Sequence, residues 1–191
     1  SIVGTSTNFT CGNTYSATRT WKATDACGNS SPCSQTVNVV DTTAPVISCS
    51  PNKTVEIGSS WSFDTPAATD IGGTNKISIV GTTTNFTCGN TYSATRTWKA
   101  TDACGNSSQC SQTVNVVDTT APVISCSPNK TVEIGTAWSF DIPTATDIGG
   151  TNTISIVGTS TNFTCGNTYS ATRTWKATDA CGNSSQCSQT V

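Results

Sequence analysis

The sequence lacks histidine, methionine and leucine, and only 10% of its 191 residues are charged. Without histidine the chain has no side chain whose ordinary pKa suits proton transfer near neutral pH. It also contains no nucleophile elbow, no phosphate-binding loop and no recognisably spaced pair of catalytic carboxylates. We therefore predict that the segment is not an enzyme and needs no cofactor.

Positive charge is also scarce. Nine basic residues stand against eleven acidic ones, for a net charge of −2. Binding to nucleic acid depends on clustered lysine and arginine, so we expect no nucleic-acid partner. No run of about 18 apolar residues occurs, so we expect no membrane insertion by this segment.

The chain is instead rich in cysteine and highly repetitive. The string SIVGT begins at Ser1, Ser78 and Ser155, so one unit recurs every 77 residues. This period suits a small independent domain. We predict the C-terminal part of an incomplete repeat over 1–43, a complete repeat over 44–120, and a repeat lacking its last few residues over 121–191. The chain is then expected to be an excerpt of a longer protein.

Threonine, serine, valine and isoleucine dominate each unit, and β-branched residues favour strands. The segment TYSATRTWKATD alternates between two faces, which indicates a half-buried strand. Short strands separated by turns predict an all-β fold of tandem immunoglobulin-like sandwiches, with about seven strands per repeat. Trp61 and Trp98 are the expected core anchors.

The motif W-x-A-T-D-A-C-G-N, followed by C-x-Q-T-V-x-V-V-D-T-T-A-P-V-I-x-C, spans most of each unit. It resembles the hyalin-repeat (HYR-like) domains of extracellular and bacterial surface proteins. The resemblance implies tandem immunoglobulin-like domains associated with adhesion and surface architecture. Many bacterial members carry T-D-N-C where this chain has Thr69-Asp70-Ile71 and Thr146-Asp147-Ile148. The isoleucine leaves the cysteine of the following turn without a local partner.

A complete unit has four cysteines, Cys49, Cys88, Cys104 and Cys110. Four thiolates can hold zinc, but the close C-x-x-C pairs of the common zinc site are missing. Structural disulfides are the favoured interpretation, and they place the chain outside the cell or on its surface. Immunoglobulin-like topology sets the first strand parallel to the last, which pairs Cys49 with Cys110 and Cys126 with Cys187.

The strand from Thr91 to Asp102 separates Cys88 from Cys104 by roughly 35 Å, whereas a disulfide needs Cα atoms within about 7 Å. These cysteines are therefore expected to bond across repeat junctions, as Cys11–Cys104 and Cys88–Cys181. A hairpin pair Cys104–Cys110 is disfavoured, because the turn is expected to set Cys110 opposite Thr101. Disulfides to units outside the excerpt are predicted for Cys27, Cys33 and Cys165.

Several polar motifs suggest modification or ligand binding. Eight asparagines stand in N-x-[ST] and are candidate N-glycan acceptors, namely Asn8, Asn29, Asn52, Asn85, Asn106, Asn129, Asn162 and Asn183. Thr42 and Thr119, in the two D-T-T linkers, are candidate O-glycan acceptors. Calcium could be held by Asp41, Glu56, Asp70 and Asp102 and their repeats, but without a dense D-x-D-x-D loop we expect exposed turn acids and no metal.

Near-identity of the units favours a structural role over a specialised binding domain. We predict a non-catalytic segment of an extracellular filament or adhesin stalk, rigidified by disulfides within and between domains. Its expected partners are further copies of the same repeat, in the same chain or in neighbouring subunits. The alternative is an adhesion module that binds surface glycans or matrix through exposed loops around Gly72 and Asn85.

Overall fold

A computed structural model describes residues 1–73 and 75–191, and within these ranges every regular element is a β-strand. The prediction of an all-β fold is confirmed. The strands of the first two repeats are β1 (Ile2–Phe9), β2 (Tyr15–Thr24), β3 (Ser30–Val39), β4 (Val46–Ser48), β5 (Lys53–Glu56), β6 (Ala67–Thr69), β7 (Lys76–Phe86), β8 (Tyr92–Thr101) and β9 (Ser107–Val117). The third repeat holds β10 (Val123–Ser125), β11 (Thr144–Thr146), β12 (Thr153–Phe163), β13 (Tyr169–Thr178) and β14 (Ser184–Thr190).

The chain divides into two compact units, and each contains one repeat junction. Unit 1 comprises Ser1–Pro51, Phe63–Thr83 and Thr95–Gln112. Unit 2 comprises Asn52–Ser62, Thr84–Ala94 and Thr113–Val191. No helix in the described ranges is long and apolar enough to cross a membrane.

Long antiparallel strands form the body of each repeat. The first repeat has one three-stranded sheet in the order β1-β2-β3. In the middle repeat four strands are ordered β5-β9-β8-β7, and β4 pairs with β6 in a second sheet. The third repeat has a sheet β12-β13-β14 and a pair β10-β11. Strands β10 and β14 contact each other, so the two sheets of the third repeat pack together as in a sandwich.

Two details of the middle repeat differ from the sequence prediction. It has six described strands instead of about seven. Its first strand, β4, pairs antiparallel with β6, and the parallel neighbour of β9 is β5, with Lys53 opposite Val114 and Glu56 opposite Val117. The reason is the short Pro51-Asn52 connection, after which the chain continues from one sheet into the other.

Alternation of small and large side chains builds the buried faces of β8 and β13. Trp98 and Trp175 are each 5% exposed, and the alanines two residues after them are fully buried. Phe63 meets Trp98 edge-on at 5.9 Å, and Phe140 meets Trp175 at 5.8 Å. Trp98 is therefore a core anchor, whereas Trp61 is only half-buried and donates a hydrogen bond of 3.3 Å to Tyr92 Oη.

A buried glutamine links the strands of each later repeat to the preceding segment. Gln189 is 1% exposed, accepts a hydrogen bond from Asp141 N at 2.9 Å, and donates to Pro128 O at 2.9 Å and Asp141 Oδ2 at 2.8 Å. Gln112 makes the same set of bonds with Asp64 and Pro51. The side-chain amide is thus satisfied on both sides, which allows its burial. The corresponding Gln35 on β3 is exposed.

Candidate functional site

Each repeat junction begins with a tight turn carrying a cysteine. In the first junction the turn is Cys11–Thr14, closed by a hydrogen bond of 2.9 Å from Thr14 N to Cys11 O. The buried Thr14 hydroxyl donates to Cys11 O at 2.6 Å and accepts from Cys11 N at 3.1 Å. Cys88 and Thr91 repeat the arrangement in the second junction. These bonds fix the direction of the cysteine side chain.

The opposite side of each junction is the turn between two long strands of the following repeat. Asp102 Oδ1 accepts hydrogen bonds of 2.8 Å from Cys104 N and from Asn106 N. The Asn106 amide donates to Asp102 Oδ2 at 2.8 Å and to Asp41 O in the linker at 3.1 Å. Asp179, Cys181, Asn183 and Asp118 repeat this network. The aspartate thus folds the turn, and the asparagine ties it to the linker.

Disulfides join these two turns across both junctions. Cys11 bonds to Cys104 with Cα atoms 5.0 Å apart, and Cys88 bonds to Cys181 with Cα atoms 5.1 Å apart. Each bridge joins residues 93 positions apart, which exceeds the 77-residue repeat, so each links consecutive repeats. The structure therefore brings together the two pairs selected by the strand-length reasoning.

The backbones also meet directly beside each bridge. Asn13 N donates to Gly72 O at 3.1 Å, and Asn90 N donates to Gly149 O at 3.0 Å. A Cβ atom on Gly12 or Gly89 would overlap the carbonyl oxygen of Gly72 or Gly149, respectively. Glycine is required at the turn positions by this close approach as well as by their positive φ values.

Two further disulfides lie within repeats. Cys49 bonds to Cys110 and Cys126 bonds to Cys187, each with Cα atoms 5.8 Å apart. Sequence analysis placed Cys110 opposite Thr101 on the neighbouring strand, and the strand register in the equivalent repeats differs from this. In the first and third repeats the equivalent residues, Cys33 and Cys187, lie opposite a tryptophan, three positions away from the expected threonine.

The remaining cysteines are Cys27, Cys33 and Cys165, which are exposed and unbonded. Cys27 occupies the turn position of Cys104 and Cys181, and Cys165 occupies the turn position of Cys11 and Cys88. The structure therefore brings no pair of these three together. Their predicted disulfides to further units stay a prediction.

Three aspartates from distant parts of the sequence meet at each junction. In the first they are Asp41, Asp70 and Asp102, and in the second Asp118, Asp147 and Asp179, each set offering carboxylate oxygens that all lie within 4.8 Å of one another. Asp102, Asp118 and Asp179 are each 7% exposed. The expectation that these acids are exposed turn residues is therefore wrong, because the linker and the turn fold over them. Glu56 lies outside both clusters and accepts hydrogen bonds from Thr119 and Thr120.

Asp118 and Asp179 of the second cluster receive different numbers of hydrogen bonds, and their pKa values shift in opposite directions. Burial, with the carboxylates of Asp147 and Asp179 close by, raises the pKa of Asp118. Desolvation is also the largest effect on Asp179, but hydrogen bonds from Asn183 and from the turn backbone outweigh it and lower the pKa of that carboxyl. Asp118 Oδ1 accepts from Thr120 N at 3.1 Å, whereas its Oδ2 is buried without a partner. Asp41 Oδ2 is in the same state in the first cluster.

The candidate glycosylation sites fall into two groups. The side-chain nitrogens of Asn29, Asn106 and Asn183 donate to the aspartate of their own turn, so a glycan there would replace a hydrogen of that group. The other five asparagines are exposed, namely Asn8, Asn52, Asn85, Asn129 and Asn162. Thr42 and Thr119 are exposed, and the Thr119 hydroxyl donates to Glu56. In the two loops predicted to contact a ligand, Gly72 is buried against Asp41, whereas its neighbour Ile71 is 93% exposed and Asn85 is also exposed.

Sequence analysis named all members of the aspartate clusters, together with Glu56, as possible calcium ligands but set them aside as exposed turn acids. Their members are far apart in the chain, and the acids recur only as parts of the D-T-T-A-P, T-D-I and T-D-A-C-G-N strings. The recurrence of three acidic positions in every unit was the sequence signal for these clusters. It gave no distances, because these depend on how the linker folds onto the turn.

A family model described as HYR domain matches residues 40–116 and 117–191. Hyalin from Strongylocentrotus purpuratus is 37% identical over an alignment of 195 positions that covers 90% of this chain and 16% of that protein. Hyalin from Lytechinus variegatus is 35% identical over 156 residues, covering 71% of this chain and 28% of that protein. The chain thus spans less than a third of the length of either relative.

Solved structures of cadherin repeats are also similar. Protocadherin gamma B2 extracellular cadherin domains 3–6 give a TM-score of 0.41 at 13% identity, covering 93% of this chain and 58% of that one. Human CDH23 EC21-23 gives a TM-score of 0.39 at 17% identity, covering 94% of this chain and 74% of that one.

Proposed function

The chain belongs to the HYR domain family, and on this basis we propose that it is a non-catalytic structural segment of an extracellular or cell-surface filament or adhesin stalk. Its role is to hold consecutive repeats together under tension. Disulfides form and persist mainly in oxidising compartments, which supports a location outside the cell or on its surface.

The observation that supports this proposal is the pair of disulfides across the junctions, Cys11–Cys104 and Cys88–Cys181. In an ordinary tandem array the linker is the only covalent connection between neighbouring repeats. Here a covalent bond lies in parallel with each linker, so a junction cannot open unless the disulfide is reduced. The disulfides Cys49–Cys110 and Cys126–Cys187 close loops within repeats.

Further copies of the repeat are the proposed partners. The exposed Cys27 and Cys165 occupy the two turn positions that form the junction bridges elsewhere. By the same geometry Cys27 bonds to the Cys11-type turn of a neighbouring unit, and Cys165 to the Cys104-type turn of another. Cys33, equivalent to Cys110, bonds to a Cys49-type residue. For the glycan-binding alternative, Gly72 is buried in the junction, and exposed Ile71 and Asn85 are the contacts that remain.

Stretching the oxidised 191-residue chain between its termini tests the proposal. With all four disulfides intact, the shortest covalent path between the termini should be about five times shorter than the reduced chain at full extension. Removing one junction bridge with C11A/C104A should increase the reachable length about twofold. Removing Cys126–Cys187 should leave it unchanged, because the path through Cys88–Cys181 is equally short, and this variant is the matched control.

Two results would overturn the proposal. One is an oxidised chain that extends as far as the reduced chain, since the junction bridges then carry no tension. The other is saturable binding of the isolated chain to surface glycans or matrix proteins, since this favours an adhesion module. Images of the intact assembly, showing repeats in series along a filament, would support the structural role directly.

A further inference from the structure

The second aspartate cluster has the chemistry of a cation site. Three carboxylates with ligand oxygens within 4.8 Å of one another carry concentrated negative charge. In the part of the chain that the structure describes, no lysine or arginine forms an ion pair with any of the six clustered aspartates. Carboxylates brought so close together repel one another and are costly to bury unless a cation compensates them.

A second, independent feature points to a ligand. Asp118 is 93% buried, being 7% exposed, and its Oδ2 faces the aspartate cluster beside Gly149 without any hydrogen-bond partner. Buried polar atoms without partners are rare in native proteins and call for an explanation such as an ion. The unpartnered oxygen recurs at Asp41 in the first cluster. A buried amide oxygen without a partner also recurs in the adjoining loops, at Asn75 and Asn152.

We propose that each aspartate cluster binds one calcium ion, through Asp41, Asp70 and Asp102 at the first junction and Asp118, Asp147 and Asp179 at the second. Calcium takes oxygen ligands at about 2.3–2.6 Å, so two ligands of one ion are at most about 5 Å apart. The clusters meet this limit. Zinc fits poorly, because the cysteines nearest the clusters are oxidised and the chain has no histidine.

The ion would join three parts of each junction. Asp118 lies in the linker, Asp147 in the loop whose Gly149 carbonyl accepts from Asn90, and Asp179 in the turn that carries Cys181. Calcium therefore fixes the same loop and turn that the disulfide and the backbone bond hold. Calcium binding at these clusters goes beyond the proposed function and does not depend on it.

Titration of the chelator-treated, oxidised 191-residue chain with calcium chloride, followed by calorimetry and native mass spectrometry, tests the proposal. The wild type should bind two ions, D118N one and D41N/D118N none. D25N is the matched control and should bind two, because Asp25 holds the equivalent turn of the first repeat outside either cluster. Dissociation constants of about 10⁻⁴–10⁻³ M are typical of extracellular modules.

Melting temperature separates a ligand role from a structural role. At about 10 mM calcium the wild type should melt roughly 5 °C higher than in chelator. D118N should melt no lower than the wild type in chelator, because it removes a buried charge, and it should gain less from calcium. Absence of binding by the wild type, two ions bound to D118N, or a lower melting temperature of D118N in chelator would each overturn the proposal.

Discussion

The backbone N–H of Asn90 donates a hydrogen bond of 3.0 Å to Gly149 O, and this contact leaves no room for a side chain on Gly89. Changing Gly89 to alanine should therefore force the second junction apart and lower the yield of the Cys88–Cys181 bridge. We expect a loss of about 3 kcal/mol, combining the strain of positive φ with the overlap. Non-reducing peptide mapping and denaturant unfolding measure the two effects.

Gly166 provides the control for this change. It occupies the same turn position at a φ of 60°, and no atom lies within 4 Å of a Cβ placed on it. G166A should cost only the backbone strain, about 1–2 kcal/mol. Equal losses for G89A and G166A would mean that the contact with Gly149 is unimportant.

Gln189 should be among the residues most sensitive to truncation in the third repeat. Its replacement by alanine leaves Asp141 N and Pro128 O, at part-buried positions, without their side-chain partners. We expect a loss of about 3 kcal/mol in the free energy of unfolding. The equivalent Gln35 is exposed, so Q35A should change stability by less than about 0.5 kcal/mol. Hydrogen exchange of β14 amides would locate the effect, and similar exchange in both variants would contradict it.

The Arg173 guanidinium lies 4.4 Å over the Phe140 ring, and its Nε donates to Thr159 Oγ1 at 2.9 Å. Lysine can keep the charge but not the planar stack together with this hydrogen bond. R173K should lower stability by about 1 kcal/mol, or the melting temperature by about 2–4 °C. R19K is the control, because Arg19 is exposed. A melting temperature unaffected by R173K would show that the stack adds nothing.

The loss of folded-state stability at acidic pH should depend in part on Asp141. Hydrogen bonds from Lys130 and then Gln189 hold the pKa of this carboxyl below its ordinary value of 3.8. The unfolded chain therefore binds this proton more readily, so the stabilising contribution is complete above about pH 4 and is lost as the pH falls through the folded-state pKa. D141N and K130M should each flatten the melting temperature profile between about pH 4 and pH 2. A profile as steep as that of the wild type in both variants would contradict this origin.

Much of the architecture could be predicted because it depends on local pattern. Alternation in TYSATRTWKATD defines β8 and β13, and the length of this strand alone keeps Cys88 away from Cys104. The register near Cys110 could not be predicted in the same way. The turn runs from Asp102 to Asn106, closed by a bond from Asp102 N to Asn106 O, and its length depends on how the Asp102 side chain bonds to the backbone.

Contacts between segments that are distant along the chain could not be predicted from local sequence patterns. The parallel pairing of β5 with β9 depends on where the chain crosses between sheets after Pro51, and no local pattern reports this. The stacking of Arg96 on Phe63 joins two segments that are distant along the chain, and no local pattern reports it. Aspartate clustering required the linker, a loop and a turn to be placed together in space.

The four disulfides close loops that overlap along the sequence, from Cys11 to Cys104, Cys49 to Cys110, Cys88 to Cys181 and Cys126 to Cys187. Every peptide bond between Cys11 and Cys187 therefore lies inside at least one loop. A protease that cuts the backbone once anywhere in this region releases no fragment, because the two pieces stay joined through sulfur. Continuity of the chain is thus protected against nicking, which is a common fate of proteins exposed to secreted proteases.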